Sequence, residues 1–370
     1  MKKKKILLIG PNIGNKNNFY GGGVGGYTRN MALYLKDFQF KDFSIIPYFC
    51  SARKKNELKF ISFPVRFLKD IFGLIFKIIF NKIDAIHILG QYRNALPREF
   101  AWVVIAKLFR VAIVYEIKAG MFIAASKKNK VHKWLSNFIL KKSDLILVEG
   151  KTYLDYVYKE SLKKAIYFPN VVSNSEITKP KEIILKEPLK ILFVGYCYEG
   201  KGIFEAVKAI HSERLNVNIE LEIIGAESED FSTWMDSISK NTRVKIMRYG
   251  AKNHEFVLDK MKANTIYLYP SKHAGEGHNN TINEAMMNSM IIISSNAGFL
   301  EDVLTNCGYL IESDDSLIEK IVDTILEILK NPQIAVQKAQ NGRNKIENIF
   351  NSETQGKILE EQYEKIFKSP

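Results

Sequence analysis

Short apolar runs alternate with stretches of helical periodicity along most of the chain. Such runs predict buried strands, and strands that alternate with helices indicate parallel sheets covered on both faces. The pattern therefore predicts an α/β fold with doubly wound sheets. Beyond about Asp315 it predicts helix to the end, apart from a break near Asn331-Pro332. The strand-like runs are Ile6–Gly10, Asp84–Leu89, Ala112–Glu116, Asp144–Val148, Lys190–Gly195, Glu220–Gly225, Arg243–Arg248, Thr265–Pro270 and Ile291–Ser294.

The length of the chain predicts two domains. It has 370 residues, and about 150 residues per domain is the usual prior. A polar stretch with two prolines, Ser173–Pro188, is typical of an inter-domain linker. We therefore place a first domain at residues 1–172, the linker at 173–188 and a second domain from 189 onward. Because doubly wound sheets bind ligands beyond the carboxyl ends of their strands, we expect the site in a cleft between two facing domains.

The charge of the chain is unevenly distributed. Residues 1–170 contain 31 Lys and Arg against 11 Asp and Glu, whereas the remaining residues contain 23 against 29. A basic first half predicts an anionic partner, which is nucleic acid, an anionic membrane surface or a phosphorylated substrate. The alternative is charge that only keeps the protein in solution.

The most apolar segment is Phe67–Phe80, which contains Lys69, Asp70 and Lys77. It is shorter than the ~20 residues that span a bilayer. It is either a helix packed on the sheet or a helix that lies against a membrane surface. The apolar part of the N-terminus, Ile6–Gly10, is too short for a signal peptide, and three scattered cysteines give no disulfide framework. We therefore predict a cytoplasmic protein without a transmembrane helix.

Two glycine-rich loops follow predicted strands. The first, Gly21–Gly26, reads GGGVGG and opens a helix, where backbone amides and the helix dipole suit an anion. The alternative is a flexible turn. The second, Gly195–Gly202, reads GYCYEGKG, and it places Lys201 at the start of a helix. A lysine is disfavoured by the dipole at that position, so a role in binding phosphate is the stronger interpretation of Lys201 than a surface position.

The segment Gly275–Ser289, GEGHNNTINEAMMNS, contains two glutamates separated by seven residues. Thr281 and Glu284 match the S/T-x-x-E pattern of a capping box, in which Glu284 only satisfies a backbone amide. That explanation does not include Glu276, which lies on the loop after the predicted strand Thr265–Pro270. Free amides at the helix start suit a diphosphate, and both carboxylates are good acceptors for sugar hydroxyls.

This segment resembles the E-x7-E signature of glycosyltransferase family 4, the retaining enzymes of the GT-B fold. Further stretches resemble the family in the same order: Pro270-Ser271, Ile291–Leu304, LFVGYCYEGKG, the glycine loop GGGVGG, Asp84–Ile88 and Tyr167–Asn170. The resemblance is dense from residue 190 to 312 and sparse but ordered from 6 to 170. It implies a second domain at 189–351 and a C-terminal helix, 352–370, that packs back on the first domain.

The resemblance also implies roles for individual residues. Glu276 contacts the donor sugar, Glu284 binds the ribose of the nucleotide, and Lys201 contacts the pyrophosphate. Glu276 and Lys201 are therefore the predicted catalytic residues. The full set of predicted donor-binding residues is Gly23, Tyr196, Lys201, Glu276, Gly277, Asn279, Asn280, Thr281, Ile282 and Glu284.

The chain departs from the family pattern at two places. Tyr196 stands where the family often has an arginine, so one cation at the leaving diphosphate is missing. The family histidine of the first domain has no counterpart either. Glu116 and Lys118 lie near its place and are the predicted acceptor-side residues. His87 belongs to an earlier strand, and we interpret it as structural.

The predicted reaction needs no cofactor, because a nucleotide sugar is the co-substrate. No D-x-D motif occurs, so no essential metal is expected. The implied partners are a nucleotide-sugar donor, a glycan or lipid-linked glycan acceptor in bacterial surface polysaccharide assembly, and an anionic membrane at the cytoplasmic face. Nucleic acid is not expected, because no reader motif occurs. The alternatives are a binding module or scaffold without catalysis on the same fold, and a nucleotide-sugar epimerase.

Overall fold

A computed structural model describes residues 3–11, 23–51, 59–91, 93–238 and 242–368. The chain forms two compact units. Tyr27–Pro169 belongs to the first unit, together with the first strand and the C-terminal helix, and Asn170–Asn351 belongs to the second. Residues 173–188, the predicted linker, are thus part of the second unit, where the Arg343 guanidinium donates to the carbonyl of Thr178. The three cysteines are free thiols.

Each unit contains a six-stranded sheet in which every pair of neighbouring strands is parallel. The first sheet has the strand order β2-β1-β3-β4-β5-β6, and the second has the order β12-β11-β10-β7-β8-β9. The strands are β1 Lys4–Gly10, β2 Phe43–Phe49, β3 Ala85–Gly90, β4 Ala112–Ile117, β5 Leu145–Val148, β6 Ile166–Tyr167, β7 Leu189–Val194, β8 Ile219–Ile224, β9 Val244–Arg248, β10 Ile266–Tyr269, β11 Ile291–Ser295 and β12 Tyr309–Ile311.

Helices connect the strands and end the chain. Because the crossovers between parallel strands are right-handed, helices that join strands in the same direction along a sheet cover the same face. The helices are α1 Gly23–Lys36, α2 Lys59–Asn81, α3 Leu96–Leu108, α4 Phe122–Lys128, α5 Lys130–Lys142, α6 Thr152–Ser161, α7 Ile203–Ile210, α8 Glu229–Ser237, α9 His254–Ala263, α10 Asn280–Met287, α11 Leu300–Leu304, α12 Leu317–Lys330, α13 Pro332–Asn348 and α14 Ser352–Lys368.

The central strands are buried on both faces, as expected for sheets with helices on each side. In the first sheet Ile6–Ile9 is fully buried, and so are Ile191–Phe193 in the second sheet. The predicted α/β architecture and all nine predicted strands are therefore confirmed. The prediction missed three strands, β2, β6 and β12, and each of them lies at the edge of its sheet.

The apolar segment Phe67–Phe80 lies within α2. One side of this helix is buried, with Asp70 and Leu74 almost fully enclosed, and the opposite side is exposed. Among the residues that the structure describes, no helix is long and apolar enough to cross a bilayer.

Candidate active site

Glu276 and Lys201 meet at the carboxyl edge of the second sheet. Lys201 ends a short 3-10 turn, Glu199–Lys201, after β7, and Glu276 lies on the loop after β10. The Nζ atom of Lys201 is 2.6 Å from Oε2 of Glu276. Their side chains are 18% and 8% exposed, so the pair is shielded but still open to a ligand. Ionic hydrogen bonds of this length are among the stronger ones in proteins.

The Glu276 carboxylate is fixed by its neighbours. Its Oε2 accepts hydrogen bonds from Lys201 at 2.6 Å and from the Ser271 hydroxyl at 3.0 Å. Its Oε1 accepts from the Tyr269 hydroxyl at 3.1 Å and from Nδ2 of Asn279 at 2.9 Å. A carboxylate has about four acceptor positions, so this one is close to saturated. Its orientation is therefore set before a ligand binds.

Tyr269 links the two charged groups. Its hydroxyl accepts from Nζ of Lys201 at 2.7 Å while it donates to Glu276. Burial raises the pKa of Tyr269 well above its ordinary value, and the charge of Glu276 raises it further. The phenol is therefore neutral at physiological pH and keeps its proton for Glu276. Sequence reasoning missed Tyr269, although it is the last residue of β10 and points to the same edge.

Two glycines allow the site loops to approach each other closely. Gly202 has φ +68°, and a Cβ atom there would lie 1.8 Å from the carbonyl oxygen of Pro270. Gly298 has φ +60°, and a Cβ atom there would lie 1.7 Å from the carbonyl oxygen of Glu276. No side chain fits at either position, and the left-handed conformation favours glycine as well. Gly298, on the loop after β11, was not predicted as a site residue.

The start of α10 excludes the capping-box alternative for Thr281 and Glu284. The N-cap residue is Asn279, whose Oδ1 accepts from the amide of Thr281 at 2.8 Å and from its hydroxyl at 2.7 Å. The interpretation of Thr281 and Glu284 as a capping box is therefore wrong. Asn280 and Ile282 also lie in the first turn, where amides have no acceptor within the helix. The amide of Thr281, in contrast, is already occupied by the cap.

Glu284 lies one turn inside α10 and is almost fully buried. Its Oε1 is 3.2 Å from Nε2 of His254, the first residue of α9. Nδ1 of the same histidine is 3.6 Å from Oε1 of Glu176. His254 thus lies between two carboxylates, and its hydrogen bond to Glu284 orients that side chain. Sequence reasoning missed His254, because it is far from Glu284 along the chain.

Buried amides fix the loop that follows Glu276. Nε2 of His278 lies 2.9 Å from Oδ1 of Asn283, and Nδ2 of Asn283 donates to the carbonyl of Asn170 at 2.8 Å. Nδ2 of Asn170 in turn donates to the carbonyl of His278 at 2.6 Å. This closed set of hydrogen bonds holds the segment between the two glutamates in place.

The other predicted donor-binding residues occupy varied positions. Tyr196 is 45% exposed and its ring packs against Tyr198 at 5.3 Å. Gly277 is half-buried next to Glu276. Gly23 is the first residue of α1, and residues 12–22, which contain the beginning of the glycine loop, lie outside the described residues. Roles for these three positions remain predictions.

Glu116 and Lys118, the predicted acceptor-side residues, are buried in the first unit. Lys118 Nζ lies 2.7 Å from Oε1 of Glu116, and their side chains are 4% and 0% exposed. Oε2 of Glu116 accepts from the Tyr34 hydroxyl at 2.7 Å and lies 3.3 Å from Nε2 of His87. His87 also contacts the hydroxyl of Tyr363 on α14 at 2.6 Å. This placement favours a structural role for Glu116 and His87.

Acid is expected to destabilise the protein through Glu116. Burial opposes ionisation of Glu116, but the charge of Lys118 and the bond to His87 outweigh it and lower the pKa from 4.5 to about 2. A lowered pKa stabilises the fold above pH 4.5, and this contribution is lost as the pH falls through about 2. It amounts to roughly 3 kcal/mol. Urea denaturation of the wild type and of Glu116→Gln at pH 7, 4.5 and 2.5 measures it.

The Glu116→Gln variant is expected to be less stable at pH 7, because the buried ion pair between Lys118 and Glu116 is lost. It should also lose less stability on acidification than the wild type. Equal losses in the two proteins between pH 4.5 and 2.5 would contradict the assignment.

Within the described part of the chain, no three His, Cys, Asp or Glu side chains are arranged to hold a metal ion. The expectation that the reaction needs no essential metal stays a prediction.

One family model matches a region of the second unit. Residues 174–345 match the family model described as Glycosyl transferases group 1. The match covers just under half of the chain. The matched region contains Glu276, Lys201 and the start of α10, so the candidate active site lies within it.

Two curated relatives match parts of the chain. One is an uncharacterized glycosyltransferase of Methanocaldococcus jannaschii, 24% identical over 255 residues that cover 65% of this chain and 63% of the relative. The other is the capsular polysaccharide biosynthesis glycosyltransferase CapM of Staphylococcus aureus, 23% identical over 205 residues that cover 53% of this chain and 51% of CapM. The chain thus matches less than two thirds of the length of either relative. Both matches support the prediction of a glycosyltransferase.

A solved structure shows the fold of the whole chain. HepE of Anabaena, in complex with UDP and glucose, superposes with a TM-score of 0.69 at 12% identity, and the match covers 98% of this chain and 100% of HepE. Together with the two parallel sheets, this likeness confirms the predicted GT-B fold.

Proposed function

We propose that this protein is a retaining glycosyltransferase of family 4 that takes a hexose-type sugar from a nucleotide-diphosphate sugar. The observation that carries the proposal is the Lys201–Glu276 pair beside the first turn of α10, inside the region that matches the group 1 family model. A cation and unpaired amides next to a fixed carboxylate suit a diphosphate that is joined to a sugar. UDP is favoured as the nucleotide, because HepE was solved with UDP and glucose.

Each group has a role in the transfer. Lys201 and the first-turn amides of α10 stabilise the negative charge that develops on the diphosphate as the bond from the anomeric carbon to the phosphate oxygen breaks. A sugar hydroxyl that donates to Glu276 replaces one of the four hydrogen bonds that this carboxylate accepts within the protein, and Glu284 accepts hydrogen bonds from the ribose hydroxyls. The acceptor hydroxyl attacks on the face that the diphosphate leaves, and its proton passes to a phosphate oxygen. Neither a dedicated base nor a metal is required.

Lys201 carries more of this task than its counterpart does in a site that also has an arginine. Tyr196 occupies the place of that arginine, and a phenol donates one hydrogen bond without a charge. Lys272 lies near Lys201 in space, because its amide donates to the carbonyl of Gly200 at 3.0 Å, but its ammonium is paired with Glu199 at 3.3 Å and Glu205 at 2.8 Å. Lys201 is therefore the cation on which we expect leaving-group stabilisation to depend.

We further propose that the acceptor is a glycan or a lipid-linked glycan of bacterial surface polysaccharide, assembled at the cytoplasmic face of the membrane. The relative CapM is named for capsular polysaccharide biosynthesis. Positions 1–170 contain 31 basic and 11 acidic residues, and this excess of positive charge supports contact with an anionic membrane.

Turnover of a nucleotide sugar tests the proposed reaction. Glycosyltransferases without an acceptor transfer the sugar slowly to water, so proton NMR of the purified protein with UDP-glucose and UDP-N-acetylglucosamine is expected to show UDP and free sugar. Retention predicts that the α-anomer of the sugar forms first. First appearance of the β-anomer would overturn retention, and absence of turnover with UDP-, GDP-, ADP-, CDP- and dTDP-sugars would favour the non-catalytic alternatives.

A further inference from the structure

The exposed side of α2 is a continuous apolar stripe. Its members recur at intervals of three or four residues, so they share one side of the helix. Each of them is between 50% and 69% exposed, which is unusual for large apolar side chains on a single helix. We call this set the α2 stripe, and it consists of Val65, Leu68, Phe72, Phe76, Ile79 and Phe80.

A second feature lies at the carboxyl-terminal ends of α3 and α5. A cavity of about 460 Å³ is lined there by four lysines and three apolar side chains. We call it the lysine pocket. Its lining residues are Lys107, Lys141, Lys142 and Lys163 together with Val104, Leu108 and Phe138.

The lysine pocket has more positive charge than its surroundings offset. Lys107 is paired with Asp144 at 2.9 Å, and Lys163 donates to the carbonyl of Ser143. Within the described ranges, Lys141 has no ion-pair partner. Burial lowers the pKa of Lys163, and the charges of Lys107 and Lys142 lower it further, although Asp144 opposes them.

Helix dipoles alone do not account for this lysine cluster. The carboxyl ends of α3, α5 and α6 each supply about half a negative charge, which favours nearby cations. Those partial charges and the single Asp144 carboxylate offset somewhat more than half of the four ammonium groups. The pocket therefore still attracts an anion, and its apolar side chains suit a ligand that carries both an anionic group and a hydrocarbon chain.

The stripe and the pocket belong to one surface. From β2 the chain proceeds through β3, β4 and β5 to β6 in one direction across the first sheet, so right-handed crossovers place α2, α3, α5 and α6 on the same face. In this layer α3 packs against both α2 and α5. The side of α2 opposite the stripe is buried, so the stripe faces away from the sheet.

Exposed apolar groups extend across the same helix layer. Leu108 at the end of α3 is 76% exposed, and Trp134 on α5 is 60% exposed. The Trp134 ring packs at a tilt against the rings of Phe100 on α3, 5.3 Å away, and Phe138 on α5, 6.2 Å away. Tryptophan beside lysines is the composition that peripheral proteins present to the headgroup region of a bilayer.

We propose that the lysine pocket is a binding site for the phosphate headgroup of an anionic phospholipid, and that the α2 stripe enters the acyl region beside it. The first unit would thereby dock on a bilayer with its α2–α3–α5 surface. This inference deepens the membrane contact in the proposed function, but it does not depend on the donor chemistry.

Vesicle sedimentation with the full chain tests the proposal. Wild-type protein should bind phosphatidylglycerol vesicles in 0.1 M salt and bind pure phosphatidylcholine vesicles far less. Each lysine near an anionic surface contributes about fivefold to binding, so Lys141→Gln with Lys142→Gln should weaken binding to phosphatidylglycerol roughly thirtyfold. Phe72→Ser with Phe76→Ser should weaken binding to both kinds of vesicle.

A matched control removes two lysines from the opposite face of the same unit. Lys36, in the last turn of α1, and Lys41 are both exposed, and right-handed connections place α1 across the sheet from α2. Lys36→Gln with Lys41→Gln should leave vesicle binding within about threefold of wild type, since only distant, screened charge is lost. If the two double lysine variants weaken vesicle binding equally, the lysine pocket is not a specific lipid site, and binding depends only on the overall positive charge of the unit.

Two further outcomes would overturn the proposal. One is failure of the wild type to bind phosphatidylglycerol vesicles, and the other is a dimer in sedimentation equilibrium that Phe72→Ser with Phe76→Ser converts to a monomer. The dimer would mean that a second copy covers the stripe. Stabilisation by UDP, measured on the same preparations, reports the donor site separately, so failure of one proposal is distinguishable from failure of the other.

Discussion

Replacement of Lys201 by methionine is expected to lower the turnover of the donor sugar about 100- to 1,000-fold, the range seen when one preorganised donor to a developing oxyanion is lost. Methionine retains the length and the apolar contacts of the lysine stem but removes the charge that lies 2.6 Å from Glu276. Because Tyr196 supplies no charge, the site has little to compensate. The rate constant for release of UDP from the nucleotide sugar is the quantity to measure.

The neighbouring Lys272 provides the control for the Lys201→Met variant. Lys272 also forms ion pairs, with Glu199 and Glu205, but it does not donate to the Glu276 carboxylate. Loss of these partly exposed ion pairs should change the stability of the protein only slightly. Lys272→Met should therefore change turnover by less than about threefold. Lys201→Arg retains the charge and should recover part of the lost rate. Similar rates for Lys201→Met and Lys272→Met would contradict a role of Lys201 in leaving-group stabilisation.

Substitution of Gly298 by alanine is expected to have the second large effect. The new Cβ would lie 1.7 Å from the carbonyl oxygen of Glu276, so the loop that carries this carboxylate must move. Displacement by about 1 Å costs on the order of 100-fold in rate, and the overlap together with the left-handed φ should reduce the free energy of unfolding by about 3 kcal/mol. Urea denaturation and the rate of UDP release measure the two effects.

Gly250 separates steric overlap from backbone strain. Its φ is +66°, close to the +60° of Gly298, but a Cβ at Gly250 would meet no atom within 4 Å. Gly250→Ala should therefore lose only the left-handed preference of glycine, about 1 kcal/mol. If both alanine variants lose the same stability, close packing of Gly298 on Glu276 does not position the site.

The sequence predicted every central strand but missed three of the four edge strands, for a physical reason. A central strand of a parallel sheet is covered on both faces and reads as a continuous apolar run, as β1 and β7 do. The edge strand β2 contains Pro47 and exposes several side chains, which is tolerated only at an edge. The other two edge strands that were missed, β6 and β12, have two and three residues. Runs so short carry no periodicity.

The candidate site was predictable where its residues are neighbours in sequence. Glu276, Asn279 and Glu284 lie on one loop and the helix that follows it, and the glycine next to Lys201 marked the other loop. His254 and Gly298 reach the site only through the order of strands in the second sheet, which sequence spacing does not encode. The capping-box alternative at the start of α10 could not be excluded from the sequence, because Asn279 and Thr281 are both good caps and only the backbone geometry at Asn279 distinguishes them.

Thermal unfolding with UDP, GDP, ADP, CDP and dTDP, for the wild type and for Glu284→Ala, tests the central claim that the second unit binds a nucleotide-sugar donor between Glu276 and Glu284. UDP at a hundredfold excess over its Kd should stabilise the wild type by about 2.7 kcal/mol. Glu284→Ala should lose this stabilisation, because the carboxylate that His254 orients is the proposed acceptor for the ribose hydroxyls. Unchanged unfolding temperatures with all five nucleotides, or equal stabilisation of both proteins, would contradict the donor site.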